Sequence, residues 1–232
     1  MKKIMFLFVV SLFFVSAGNS QDEKTLKPFR LGILGSTNIS WFNPSSEWHK
    51  NDGTLLRFGY GLTLEIALGD DNYLLAIGLE SPYSGGNLKW DSLQRIVGTD
   101  TSFVKVNSVY KFQHLEFPLV LKLRTNEISN MIFFAKFGGS FNVRIDAKAD
   151  YEYIGKVPYE NQDAKKYIEF FRIAFVVGVG MEYSLGGSTS AVLGFNFNNG
   201  LTNIFTKEKC EFDIHDKKAM NNYVSINLGI IF

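Results

Sequence analysis

Leu56-Arg57-Phe58-Gly59-Tyr60-Gly61-Leu62-Thr63-Leu64-Glu65-Ile66-Ala67-Leu68 is the stretch that decides the fold. Leu56, Phe58, Tyr60, Leu62, Leu64, Ile66 and Leu68 fall on one side, and Arg57, Gly59, Gly61, Thr63, Glu65 and Ala67 on the other. Successive side chains of an extended chain point to opposite faces, so period two means a strand with one apolar wall. A helix would space its apolar residues three and four apart, and no such stripe is present.

The same pattern recurs along the chain. Leu115, Phe117, Leu119, Leu121 and Leu123 oppose Glu116, Pro118, Lys122 and Arg124. Val224, Ile226, Leu228, Ile230 and Phe232 oppose Tyr223, Ser225, Asn227 and Gly229. Shorter alternations predict eight strands in all, at 28–40, 54–68, 72–82, 112–124, 131–143, 168–184, 189–199 and 221–232. The three tight connections between them, Gly69 to Asn72, Thr125 to Asn130 and Gly186 to Ser188, carry the Gly, Asp and Asn that hairpin turns need. Four long ones are expected at 41–53, 83–111, 144–167 and 200–220. Long and short strictly alternate, as at the two rims of an up-and-down membrane barrel.

The charges settle which wall faces what. A charge facing lipid at mid-bilayer costs about 2–4 kcal/mol. The apolar walls are nearly uninterrupted, whereas the opposite walls carry Arg30, Arg57, Glu65, Glu80, Glu116, Lys122, Arg124, Lys136, Arg172 and Glu182 among many glycines. An oily exterior and an ionic, hydrogen-bonded interior follow, and the sheet must close because open edges are not tolerated in lipid. The fold class expected is an all-β, eight-stranded antiparallel up-and-down transmembrane β-barrel, with four long external loops and short periplasmic turns. Trp41, Phe42, Trp48, Tyr73, Tyr83, Trp90, Tyr183 and Tyr223 are expected near the rims, where aromatic rings favour the headgroup zone. The six cations and four acids of the inner wall are expected to pair into a lumen charge network, since buried ions demand partners.

Composition agrees. In 232 residues, 24 Lys and Arg stand against 23 Asp and Glu, which excludes nucleic-acid binding by bulk charge. One cysteine, Cys210, excludes an internal disulfide framework and multi-cysteine metal sites. Lys2 and Lys3, an apolar run from Ile4 to Val15 and small residues to Ser20 have the layout of a secretory signal peptide. The division expected is 1–20 signal peptide and 21–232 outer-membrane β-barrel domain. Removing residues 1–20 leaves 22 basic against 23 acidic residues. The longest later run free of polar side chains, Ile173 to Met181, has nine residues, far short of the about 20 a spanning helix requires.

His114-Leu115-Glu116-Phe117-Pro118-Leu119-Val120-Leu121-Lys122 resembles a strand of the PorT-like outer-membrane barrels of the Bacteroidetes, with His114 in place of the usual Tyr. Phe195-Asn196-Phe197-Asn198-Asn199-Gly200-Leu201-Thr202-Asn203 resembles their penultimate strand and the loop after it. The last strand, ending at Phe232, resembles the terminal assembly signal of bacterial outer-membrane barrels. The resemblance implies outer-membrane lipid and the barrel-assembly machinery as partners, and a link to type IX protein secretion through the family's founding member.

Candidate chemistry is thin. His49, His114 and His215 lack metal-ligand spacing, and His49 and His215 are expected in solvated loops. His114 and Glu116 share strand parity, but no matched Ser-His-acid set accompanies them. Gly178-Val179-Gly180 lies inside a strand with no helix after it, which excludes a phosphate loop. Pro118 removes a ladder donor, so a bulge or kink is expected there. The expectation is a non-enzymatic envelope protein without cofactor or metal, whose long loops meet a partner not named by the sequence. The competing expectation is a soluble periplasmic or secreted lipocalin-like barrel with an apolar ligand cavity.

Overall fold

The computed structural model describes residues 29–97, 100–153, 159–208 and 217–232, with side chains at 29–89, 106–152, 159–208 and 217–232. The expected signal peptide, Cys210 and His215 lie outside them. Ten strands are present: β1 Phe29–Pro44, β2 His49–Asn51, β3 Leu55–Ala67, β4 Tyr73–Val97, β5 Asp100–Arg124, β6 Met131–Tyr153, β7 Tyr159–Asp163, β8 Phe171–Gly186, β9 Thr189–Gly200 and β10 Ala219–Ile231. The only helical element among the described residues is a single 3-10 turn at Lys165–Tyr167.

Eight strands close a barrel. Each of β1, β3, β4, β5, β6, β8, β9 and β10 pairs antiparallel with the next, and β10 returns to β1. Following Cα partners from Leu31 through Leu64, Ile77, Leu119, Gly139, Phe175, Asn199 and Asn222 leads back to β1 at Trp41, ten residues on. Such a stagger tilts the strands, and eight strands leave a lumen that side chains fill. The chain's described ends share a rim with the short turns: Phe232 N donates to Leu31 O at 2.7 Å. Gly69, Gly186 and Gly187 sit at positive φ in two of these turns, and Ser129 and Asn130 do so in the third.

The facing is decided in the middle of the strands. Phe58 is 66% exposed and Leu62 53%, while Glu65 on the opposite wall is 3% exposed. The outer walls of β5, β8 and β10 are likewise Leu, Phe, Val and Ile. With no water among acyl chains, a closed ladder and an apolar exterior are what the chain needs there. A soluble lipocalin-like barrel requires the reverse, and that reading fails on this geometry.

Two of the expected long loops are corrected. β4 runs on to Val97, β5 begins at Asp100 and β6 reaches Tyr153, so most of 83–111 and of 144–153 is sheet. The walls exchange character there. On β5 the inner wall changes from Lys122, Glu116 and His114 to Phe112, Tyr110 and Val106, all buried. The outer wall changes from Leu119, Phe117 and Leu115 to Gln113, Lys111 and Asn107. Beyond the bilayer the solvent is water again, so the apolar side turns inward.

A β-bulge marks this changeover. Gln113 pairs with Asp146 but His114 with Arg144, leaving Ile145 as the extra residue of β6. The bulge sends Asp146 and Lys148 outward and keeps Ala147 and Ala149 buried. At Pro118 the register continues without a shift, contrary to the expected kink: the ring lies over Gly78, where a Cβ would come within 2.6 Å of Pro118 Cγ.

β4 leaves β3 after Gly59 and Pro82 and crosses the mouth of the barrel. Asn221 Nδ2 on β10 donates to Gly85 O at 3.0 Å, and a Cβ on Gly86 would meet the Phe42 ring of β1 at 2.6 Å. Beneath this lid Phe42, Leu88, Tyr110, Phe112, Ile204 and Phe205 form a buried apolar cluster. Phe42 therefore belongs to the cap and not to a headgroup girdle, and Tyr223 is inside the lumen. Trp41 and Tyr183 do lie on the outer wall, Trp41 stacked on Phe197 at 6.3 Å.

Candidate functional site: the barrel interior

The interior has three levels. Nearest the short turns, Glu182 on β8 is fully buried and meets three cations. Lys122 Nζ donates to its Oε1 at 2.5 Å, Arg30 Nη2 to its Oε2 at 2.7 Å and Arg124 Nη2 to the same oxygen at 3.0 Å. Lys122 also donates to Glu65 Oε1 at 2.5 Å and lies 4.3 Å from the Phe134 ring centroid. Lys122 and Lys136 are direct cross-strand partners, as are Glu80 and Glu116. Like charges placed so repel, and Lys122 is compensated across the lumen through Glu65 and Glu182.

At mid-height a cavity of about 50 Å³ is lined by Glu80, Glu116, Lys136, Asn196, Asn198 and Tyr223, among others. That is room for a few water molecules and not for a solute path. Glu116 accepts from Tyr223 OH at 2.6 Å and from Asn198 Nδ2 at 2.8 Å. Neither Glu80 nor Lys136 makes a direct ion pair among the described residues; they face the cavity.

Under the lid lie Arg172, His114 and Arg144. Arg172 Nη2 donates to Asn198 Oδ1 at 2.5 Å and to Asn221 O at 2.9 Å. His114 is buried, its ring edge-on to Phe112 at 5.0 Å, and Glu116 is held by other partners. Arg57 sits apart, half-buried where β4 parts from β3, with its guanidinium 5.8 Å from the Tyr83 ring centroid. Arg144 escapes a reading of the sequence because the bulge follows it directly and the expected strand stops at 143; its register with His114 places it on the inner wall. His49, expected in solvent, is buried on β2 against Ser46.

Outside the belt several surface charges are paired. Lys111 bonds Asp150, Lys165 lies 3.0 Å from Asp146, Lys89 2.6 Å from Asp52 and Lys166 3.2 Å from Glu208. The hydrogen bond from Lys165 holds the Asp146 carboxyl below the usual carboxylate range, and the same bond raises Lys165. At Asp150 partial burial pushes upward, but the Lys111 and Asn161 hydrogen bonds prevail and leave it lowered. Among the described residues no three His, Cys, Asp or Glu side chains converge to hold a metal.

The model for the outer membrane protein beta-barrel domain matches residues 19–206. The chain belongs to that family. As an outer-membrane beta-barrel protein it crosses the bilayer with the strands described above, and the outer membrane is its location. Among solved structures it is similar to Neisserial surface protein A, at 10% identity over 88% of this chain and 96% of that one, with a TM-score of 0.44. OprG from Pseudomonas aeruginosa is similar at 11% identity over 90% and 98%, with a TM-score of 0.47. Ail of Yersinia pestis, in complex with the heparin analogue sucrose octasulfate, is similar at 11% identity over 88% and 99%, with a TM-score of 0.37. No curated protein matches the chain.

Proposed function

We propose that this outer-membrane barrel is a non-enzymatic scaffold that presents its distal sheet to another component of the cell envelope. One observation carries the reading. The lumen is filled by ion pairs at one end and capped by apolar packing at the other, whereas the sheet beyond the belt turns a charged wall outward. A filled, capped interior favours an interaction role over transport, and among the described residues no nucleophile–base pair in it favours catalysis. The resemblance of 114–122 and 195–203 to PorT-like barrels supports placing the chain in that group, with a role near type IX secretion. Secretion by a cleaved 1–20 signal peptide and assembly through the strand ending at Phe232 complete the proposal.

Photo-crosslinkers at Lys111 and Lys148, on the outer wall of the distal sheet, test it in intact cells. A discrete protein adduct from these sites, absent when the label is at Leu119 in the belt, supports the scaffold role. Steady single-channel conductance of the purified barrel in planar bilayers, with no adduct, contradicts it.

A further inference from the structure

The level just under the lid differs from the short-turn end of the lumen. Arg30, Lys122 and Arg124 share Glu65 and Glu182. Arg144 and Arg172 have no carboxylate partner among the described residues. Arg172 is 1% exposed and spends its bonds on neutral oxygens of Asn198 and Asn221. Both oxygens of Glu116, the acid nearest along the ladder, are engaged by Tyr223 and Asn198. Arg172 Nε, Arg144 Nε, Arg144 Nη1 and His114 Nε2 are buried without a hydrogen-bond partner.

The register brings these side chains together. His114 and Arg144 are direct cross-strand partners, and Arg172 is the partner of Asn142, two residues before Arg144 on the same strand. His114 and Arg172 are buried inside the barrel, His114 against Phe112 of the apolar cap, and the half-buried Arg144 shares their wall by its register with His114. Tyr223 gives Arg172 a partial counterweight, with the guanidinium 5.7 Å from its ring centroid. A fully buried Arg172 and a half-buried Arg144, whose Nε and Nη1 are shut from solvent, call for opposite charge, because an uncompensated buried ion is among the costliest features a fold can hold. Guanidinium N–H groups from two neighbouring strands, with an imidazole nitrogen from a third, make a donor set suited to an anion.

We infer that the Arg144–Arg172–His114 level binds one small monovalent anion of halide size, which ties β5, β6 and β8 together under the lid. The anion is structural: it completes the charge balance of the distal lumen and stiffens the seat on which the lid rests.

The test uses the full mature barrel, refolded in detergent, with bromide as probe. Crystals grown in sodium bromide are expected to show an anomalous peak in contact with Arg144 or Arg172. In parallel, the temperature at which the folded band gives way to the unfolded band on a gel is compared in bromide and in gluconate at equal ionic strength. It is expected to rise by several degrees in bromide for the wild type and to lose that rise in Arg144→Met, while Arg144→Lys retains part of it. Arg144→Met is the variant of choice because Arg172→Met can fail to fold. Water alone at the site, or the same bromide response in wild type and Arg144→Met, overturns the inference.

Discussion

Glu182 is the residue on which the short-turn end of the lumen converges, since three cations meet its two oxygens while it is fully buried. Breaking a buried ionic set from one side costs about 3–5 kcal/mol, because the remaining charges stay buried. Glu182→Gln is therefore expected to lower the unfolding free energy by about that amount in urea titrations of the barrel in lipid vesicles. A loss below about 1 kcal/mol, the range of exposed pairs, would show that water screens the cluster. Facing makes a second demand at this scale. Leu62→Arg and Phe175→Arg put a charge on the belt and are expected to block membrane assembly, seen as loss of the heat-modifiable band. Arg57→Leu is expected to assemble, at some cost in stability. Which wall a residue occupies was legible wherever alternation was strict, as at Leu62 and Glu65. Height along the barrel was less legible: parity put Tyr223 on the inner wall, but its aromatic ring suggested a rim, and the hydrogen bond to Glu116 places it within the lumen.

The bulge at Ile145 explains the largest gap between sequence and structure. Residues 106–112 do alternate, but Val106, Tyr110 and Phe112 are the inner set there and Asn107 and Lys111 the outer one. A reader following the oily wall loses it at Gln113 and takes the rest for loop. On β6 the parity itself slips by one residue at Ile145, which hides the continuation to Tyr153. Deleting Ile145 removes the extra residue and leaves Asp146 outward and Ala147 inward, so the barrel is expected to fold and assemble. Deleting Ala147 turns Lys148 into the apolar cap and is expected to abolish folding of the distal sheet, read by limited proteolysis. Equal protease resistance of the two deletions would show that the bulge does not set the facing. The ion pairs of this sheet add a pH dependence. Asp146 and Asp150 have lowered folded values, so their contribution is complete above the ordinary aspartate value of 3.8 and is lost as pH falls through the folded values. The amide of Asn161, which donates to Asp150 Oδ1 at 2.7 Å, is expected to hold its NMR shift from neutral pH to about 4 and to move only below it.

As a whole the molecule has two storeys with opposite insides. The lower one is a membrane barrel, oily without and ionic within; the upper one is a sheet with an apolar underside that closes the mouth. The fold class and closure were legible because lipid imposes the same alternation on every strand it touches. The capped mouth was not, because it depends on β4 departing from β3 after Pro82, a tertiary event with no period in the sequence. Spin labels along β5 test this arrangement most directly. Nitroxides at 115, 117, 119 and 121 are expected to be accessible to oxygen dissolved in lipid, and those at 107, 109, 111 and 113 to a water-soluble nickel complex. Access of the nickel complex to 117 and 119, or of lipid to 109 and 111, would contradict the exchange of walls.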